Sequence, residues 1–209
     1  MKLALLQLEI EGGDLEGNLE RALEGIDAAA ARDADLVALP ELWNVGFFAF
    51  EEYERAAEPI DGPTLSRIAE AAAQHDMGIL AGSVVEDLAE TPVETPAEEG
   101  LANTTVLFDR DGSRLGWYRK QHLFGYESEE TTRLTPGETL GVASFEGFTV
   151  GMTTCYDLRF PSLYEELVEA GATLVLVPSA WPYPRVEHWD VLTRARAVEN
   201  LWYLAAING

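Results

Sequence analysis

The chain is poor in cysteine, in lysine and in positive charge generally. One cysteine, Cys155, stands among 209 residues, which excludes an internal disulfide framework and a cysteine-based zinc site. The 14 basic residues include only two lysines, Lys2 and Lys120, and face 37 Asp and Glu, for a formal charge of −23. A surface of that sign repels phosphate backbones and anionic headgroups, so no nucleic acid and no membrane surface is expected as a partner. With so little lysine it also predicts a halophilic protein, because the Debye length falls to about 3 Å at 1 M salt and relieves repulsion among carboxylates. No apolar run approaches the ~20 residues of a membrane span, and the N-terminal stretch turns polar at Gln7, too soon for a signal peptide. The expectation is a cytoplasmic protein. His75, His122 and His188 are scattered without ligand spacing, so neither a metal nor another cofactor is expected.

What is present is a globular composition, 47% hydrophobic and 10% aromatic, enough for one domain over residues 1–209. Strand-like and helix-like segments alternate. Residues 2–9 form an apolar strand, and Leu19, Leu23, Ile26 and Ala30 share one face of a helix over 18–32. The apolar run 35–39, closed by Pro40, reads as a strand buried on both faces. A helix over 63–75 and a strand over 79–85 follow, then an acidic loop with no basic residue to position 100. Residues 104–108 and 115–119 flank an Asp/Gly turn as a hairpin. Strands over 145–154, 174–177 and 202–207 alternate with helices over 162–170 and 186–199, Ser162 and Glu165 having capping-box spacing. The stretches Asp35-Leu36-Val37-Ala38-Leu39-Pro40-Glu41-Leu42-Trp43 and Thr173-Leu174-Val175-Leu176-Val177-Pro178-Ser179-Ala180-Trp181 share a pattern, each after a strand and a helix. Two similar halves with face-to-face sheets and helices outside would give a layered α/β fold.

Three residues suit chemistry. Cys155 lies where a strand ends and a helix is about to begin, a turn whose backbone N–H groups favour a thiolate and a developing oxyanion. A lone cysteine is more often inert core, so it needs a base and an electrophilic partner. Glu41 emerges at a strand end among Leu42, Trp43, Phe47 and Phe48, surroundings that raise a carboxyl pKa and fit it to exchange protons with a thiol. Lys120, in Trp117-Tyr118-Arg119-Lys120-Gln121-His122-Leu123-Phe124, places an ammonium in an aromatic setting, where it can stabilise an oxyanion. Among the aromatics, Trp43, Phe47, Phe48, Trp181 and Tyr183 are candidate pocket walls or core.

With Leu39-Pro40-Glu41-Leu42-Trp43, Arg119-Lys120-Gln121-His122-Leu123-Phe124 and Cys155-Tyr156-Asp157-Leu158-Arg159-Phe160-Pro161 in this order, the sequence resembles the nitrilase, or carbon–nitrogen hydrolase, superfamily along its whole length. The last motif is most similar to the amidase branch that includes ω-amidases. The resemblance implies an α-β-β-α sandwich, a homodimer or higher homo-oligomer joined through helical faces, and a triad of Glu41 as base, Lys120 as oxyanion stabiliser and Cys155 as nucleophile. It implies a second site glutamate, which spacing from Lys120 places at Glu127 and spacing back from Pro136-Gly137 places at Glu130; Glu127 is the assignment carried forward. The substrate is then a small linear amide, hydrolysed through a cysteine thioester with release of ammonia. Tyr156 would add its backbone N–H to the oxyanion hole and Trp181 would contact substrate. Arg159 would bind a substrate carboxylate or tie the turn to a neighbouring helix. Family members continue past Gly209 with further strands, so a shortened member is expected. Its alternative function is that of a non-catalytic homologue that binds a metabolite or partner; acyl transfer to an amine instead of water is a third reading.

Overall fold

The computed structural model describes residues 1–125 and 128–209. Strand β1 (Leu3–Leu5), helix α1 (Leu15–Ala30) and strand β2 (Leu36–Ala38) open the chain. Asp14 caps α1 by accepting the Gly17 N–H, satisfying one of the donors a helix start leaves free. A 3₁₀ turn (Phe50–Glu52) and the short α2 (Tyr53–Ala56) precede α3 (Pro63–His75), which has Pro63 in its first turn and Asp76 in a left-handed cap. β3 (Gly78–Asp87), β4 (Leu101–Phe108) and β5 (Arg114–Arg119) then form a meander. β6 (Gly141–Phe145) and β7 (Phe148–Met152) follow α4 (Glu129–Arg133), and a 3₁₀ turn (Cys155–Arg159) leads into α5 (Pro161–Glu169). β8 (Leu174–Ser179), a short 3₁₀ turn (Tyr183–Arg185), α6 (Val186–Asn200) and β9 (Tyr203–Asn208) complete the order.

The strands make two sheets, ordered β1-β2-β3-β4-β5 and β6-β7-β8-β9. β1, β2 and β3 run parallel, as do β7, β8 and β9, while β4, β5 and β6 join antiparallel. Alternation along a strand separates the layers. Val37, Leu39, Ile79, Ala81 and Val106 pack on Ala22, Ile26 and Ala29 of α1 and Leu65, Ile68 and Ala72 of α3. Their neighbours Leu36, Ala38, Leu80 and Leu107 belong instead to the core shared with Phe145, Val150 and Met152 of the second sheet. Adjacent residues of β7 confirm the far layer: Met152 reaches Gly116 of β5, and Gly151 lies against Leu167 of α5. The architecture is the expected α-β-β-α sandwich. No helix among the described residues is long and apolar enough to cross a membrane.

Four local expectations change. The strand read over 145–154 is the hairpin β6–β7, folded at Glu146 and Gly147, whose φ angles of 49° and 80° suit the tight turn between antiparallel strands. Ser162 and Glu165 do not cap α5. That helix starts at Pro161 after Phe160, with no side-chain cap, and the reciprocal capping box belongs to Thr154 and Asp157 around Cys155. β8 runs through Pro178, which pairs with Ile207 on one side, while pairing with β7 ends at Leu176 and leaves no ladder bond for proline to break. In α1 the fully buried line is Ala22, Ile26 and Ala29, with Leu19, Leu23 and Ala30 flanking it, half-buried.

Candidate active site

Glu41, Lys120 and Cys155 each leave the end of a strand, β2, β5 and β7 respectively, and converge where the two sheets meet. Glu41 is fully buried. Its loop is set by an irregularity in β3 between Leu80 and Ser83, where Gly82 has φ +61° and a Cβ would fall 2.1 Å from the Pro40 carbonyl oxygen. Only glycine permits that approach. Ser83 fastens the loop there, its N–H donating to the Pro40 carbonyl at 3.2 Å and its Oγ accepting the Leu42 N–H at 3.0 Å. Trp43, placed among pocket candidates by its sequence context, is core: its indole N–H donates to the Ala81 carbonyl.

The Lys120 ammonium donates to Glu41 Oε1 at 2.8 Å and to both oxygens of Glu130, at 2.8 and 3.1 Å. Its Nζ lies 5.4 Å from the centre of the Phe47 ring. Burial alone would push this amine toward its neutral form, but the charges of Glu41 and Glu130 outweigh burial and hold its pKa above the ordinary lysine value. Burial raises the Glu41 carboxyl; Lys120 opposes the shift and Glu130 adds to it. The Cys155 thiol is also pushed up, by burial first and then by Glu41, with Lys120 offsetting part. Glu41 and the thiol thus sense each other across the site, and burial favours the protonated form of both. Cys155 has φ +46°, the left-handed region that non-glycine residues rarely adopt. That sharp turn lets the strand end and the 3₁₀ turn meet at the thiol.

Glu127 lies outside the described residues. Besides Glu41, the glutamate that meets Lys120 among the described residues is Glu130, buried on α4, whose Oε2 also accepts the Phe124 N–H. Ser128 caps this helix, accepting the Thr131 N–H and donating to the Phe124 carbonyl. Spacing back from Pro136-Gly137 thus points to a glutamate that contacts Lys120, Glu130, while the assignment to Glu127 falls on a residue outside those described.

Two further polar residues escape the sequence reading. Asn103 on β4 is buried and donates from Nδ2 to Glu41 Oε1 at 2.9 Å and toward Glu130 Oε1 at 3.4 Å. The pairing of Thr104 with Arg119 in the β4–β5 hairpin is the signal that could have found it, since that register sets Asn103 beside Lys120. Asp157, also buried, accepts from Thr154 N–H and Tyr118 O–H on one oxygen and from His122 N–H and the His122 ring on the other, all within 3.1 Å. It ties the cysteine turn to the strand end that carries Lys120.

Beyond the thiol a cavity of about 130 Å³ is lined by Phe47, Phe48, Phe124, Tyr156, Trp181, Arg159 and Arg185. The Arg159 guanidinium stacks over Tyr156 and Trp181 at 5.5 and 5.0 Å and hydrogen-bonds His188 of α6, so it does tie the turn to a neighbouring helix. Arg185 lies 5.5 Å from the Phe124 ring centre. Neither arginine forms an ion pair with a described carboxylate. Tyr183 is exposed and lines a second opening that also reaches Glu41. The described residues hold no cluster of three or more histidine, cysteine or carboxylate side chains placed to bind a metal.

An α-β-β-α sandwich with carboxylate, lysine and thiol gathered at the junction of its sheets is the nitrilase type of fold. Nit3 of Saccharomyces cerevisiae, described as a member of branch 10 of the nitrilase superfamily, superimposes with a TM-score of 0.87 at 29% identity, over all of this chain and 75% of that one. An amidase from Nesterenkonia sp. gives 0.85 at 29% identity, with the same coverage. Residues 2–209 match the model of the carbon-nitrogen hydrolase family, and the chain belongs to that family. It is 30% identical to 2-oxoglutaramate amidase of Paenarthrobacter nicotinovorans, over all of this chain and 70% of the relative. It is 33% identical to human omega-amidase NIT2, over 98% of this chain and 72% of the relative.

Proposed function

We propose that the protein is an amidase that hydrolyses small linear amides bearing a carboxylate away from the amide, by way of a cysteine thioester. The reading rests on one arrangement: a lysine ammonium 2.8 Å from two buried carboxylates, one of which shares its environment with the only thiol. Glu41 takes the Cys155 proton as sulfur attacks the amide carbon, and the Lys120 ammonium with the Tyr156 backbone N–H receives the oxyanion. Glu41 then returns the proton to the departing nitrogen and ammonia leaves. In the second half Glu41 takes a proton from water, which attacks the thioester; collapse releases the acid and restores the thiol. Glu130 holds the ammonium in place. Arg159 and Arg185 at the cavity, without carboxylate partners among the described residues, support an anionic substituent on the substrate. The names of the relatives, 2-oxoglutaramate amidase and omega-amidase, agree with that chemistry.

The test is ammonia release over a panel of dicarboxylic monoamides, uncharged amides, nitriles and N-carbamoyl compounds, with intact-mass detection of an acyl-enzyme. Monoamides should turn over best, and Cys155→Ala should lose at least about a hundredfold, the low end for a catalytic group. Cys155→Ser should do nearly as badly, a hydroxyl being the weaker nucleophile. Preference for uncharged amides would overturn the role of the arginines. Turnover by Cys155→Ala would overturn the mechanism.

A further inference from the structure

The Asn103 carboxamide is buried within the carboxylate pair, and its two ends fare differently. Nδ2 donates to Glu41 Oε1 at 2.9 Å and toward Glu130 Oε1 at 3.4 Å. Oδ1 is buried with no hydrogen-bond partner. The opposite orientation would point the amide oxygen at two carboxylate oxygens, so their charge dictates which end faces them. An unsatisfied buried carbonyl is ordinarily selected against. Its presence here means that the position is shaped by what Nδ2 does. The backbone fixes the residue as well, since the Asn103 carbonyl accepts the Lys120 N–H at 2.9 Å, so that one residue holds the lysine's main chain and the carboxylate to which the lysine is bound.

Glu41 thereby receives Lys120 and Asn103 on Oε1 and the Ala180 N–H on Oε2 at 2.9 Å. Three donors converge on a carboxyl that burial biases toward its neutral form. A neutral Glu41 cannot take the thiol proton. Lys120 cannot be counted as fully committed to it, because the same ammonium divides itself between Glu41 and Glu130. Asn103 adds a donor that carries no charge, cannot lose its proton and is anchored in an interior strand of a sheet.

We propose that Asn103 is a positioning residue that keeps Glu41 ionised and turned so that one oxygen is saturated by donors while the carboxylate serves the thiol. This rests on the role given to Glu41 above. Donation to the charged form lowers a carboxyl pKa, so its loss should raise that of Glu41 and move the acidic limb of activity to higher pH. A donor that served only to fill space would leave the limb where it was.

The experiment is the pH profile of kcat and kcat/KM for wild type, Asn103→Ala and Asn103→Leu, with Glu41→Gln as control and thermal melts on all four. The acidic limb of kcat/KM, which reports the free enzyme, should move up by about one pH unit, the shift expected for one lost hydrogen bond to a charge. At neutral pH kcat should fall about tenfold with KM changed far less, the mark of an interaction that acts on the chemical step. Variants that melt like wild type and keep its limb overturn the proposal. Failure of both variants to fold would assign Asn103 to the core and overturn it equally. An active Glu41→Gln would instead remove the role of Glu41, a different failure that the control makes visible.

Discussion

Asp157 offers the sharpest stability test because its bonds can be counted. Asp157→Ala deletes the acceptor for Thr154 N–H and Tyr118 O–H, both 2.8 Å away and both in fully buried residues. Each buried donor left without a partner costs about 1–3 kcal/mol, so the pair costs about 2–6 kcal/mol. The two bonds from His122 are on a half-buried residue that can turn to water, and they add little. A domain of this kind has about 5–15 kcal/mol in total, so Asp157→Ala should consume a large share. Asp157→Asn keeps the shape and one acceptor oxygen. Placed toward Thr154 and Tyr118, that oxygen retains both buried bonds; the amide then faces the His122 ring, which can accept by changing tautomer, and only the His122 N–H loses its partner. The expected cost is about 1 kcal/mol, one net hydrogen bond. Urea unfolding at fixed salt measures both, with an unchanged slope as the check that the same surface is exposed. A loss below about 1 kcal/mol for alanine, or equal losses for the two variants, would refute the view that this carboxylate clamps the cysteine turn to the lysine strand.

Lys120→Arg should be inactive although charge is retained, since a planar fork cannot reproduce an ammonium that meets Glu41 and Glu130 from one nitrogen; near-normal kcat at saturating amide would reduce Lys120 to diffuse positive charge. The −23 charge predicts that melting temperature and activity rise together from low to molar potassium chloride. Chloride is the cleaner choice because sulfate also strengthens apolar burial. A flat or falling melting temperature would leave the acidic surface as an ordinary solubility feature.

The layered fold could be read from the sequence because buried parallel strands announce themselves: Leu36-Val37-Ala38 and Leu174-Val175-Leu176-Val177 are continuous apolar runs with a helix before each, and both lie in parallel pairs. The hairpin at Glu146 and Gly147 was hidden because a two-residue turn interrupts apolar alternation too briefly to register. Helix α4 was hidden by its brevity: two spacings pointed to different glutamates, and the cap at Ser128 that starts the helix carrying Glu130 could not be read from either. Motif residues stood out by rarity, as with Lys120 and Cys155. Asn103 and Asp157 did not, since their importance lies in partners 62 and 39 positions away, distances over which one sequence carries no local pattern.

The junction between the sheets also governs when the site comes into being. Glu41 and Lys120 are 79 residues apart and lie at strand ends of the first sheet, whereas Cys155 closes a strand of the second. Contacts of such sequence separation form late, because loop-closure entropy must be overcome before they give any return. A chain with only one sheet built would carry its thiol in water as an ordinary, alkylatable cysteine. Docking of the sheets buries it and raises its pKa. The scarcity of cysteine thus makes Cys155 a built-in clock for folding: the change in its rate of labelling by a thiol reagent during refolding marks the moment the two sheets come together.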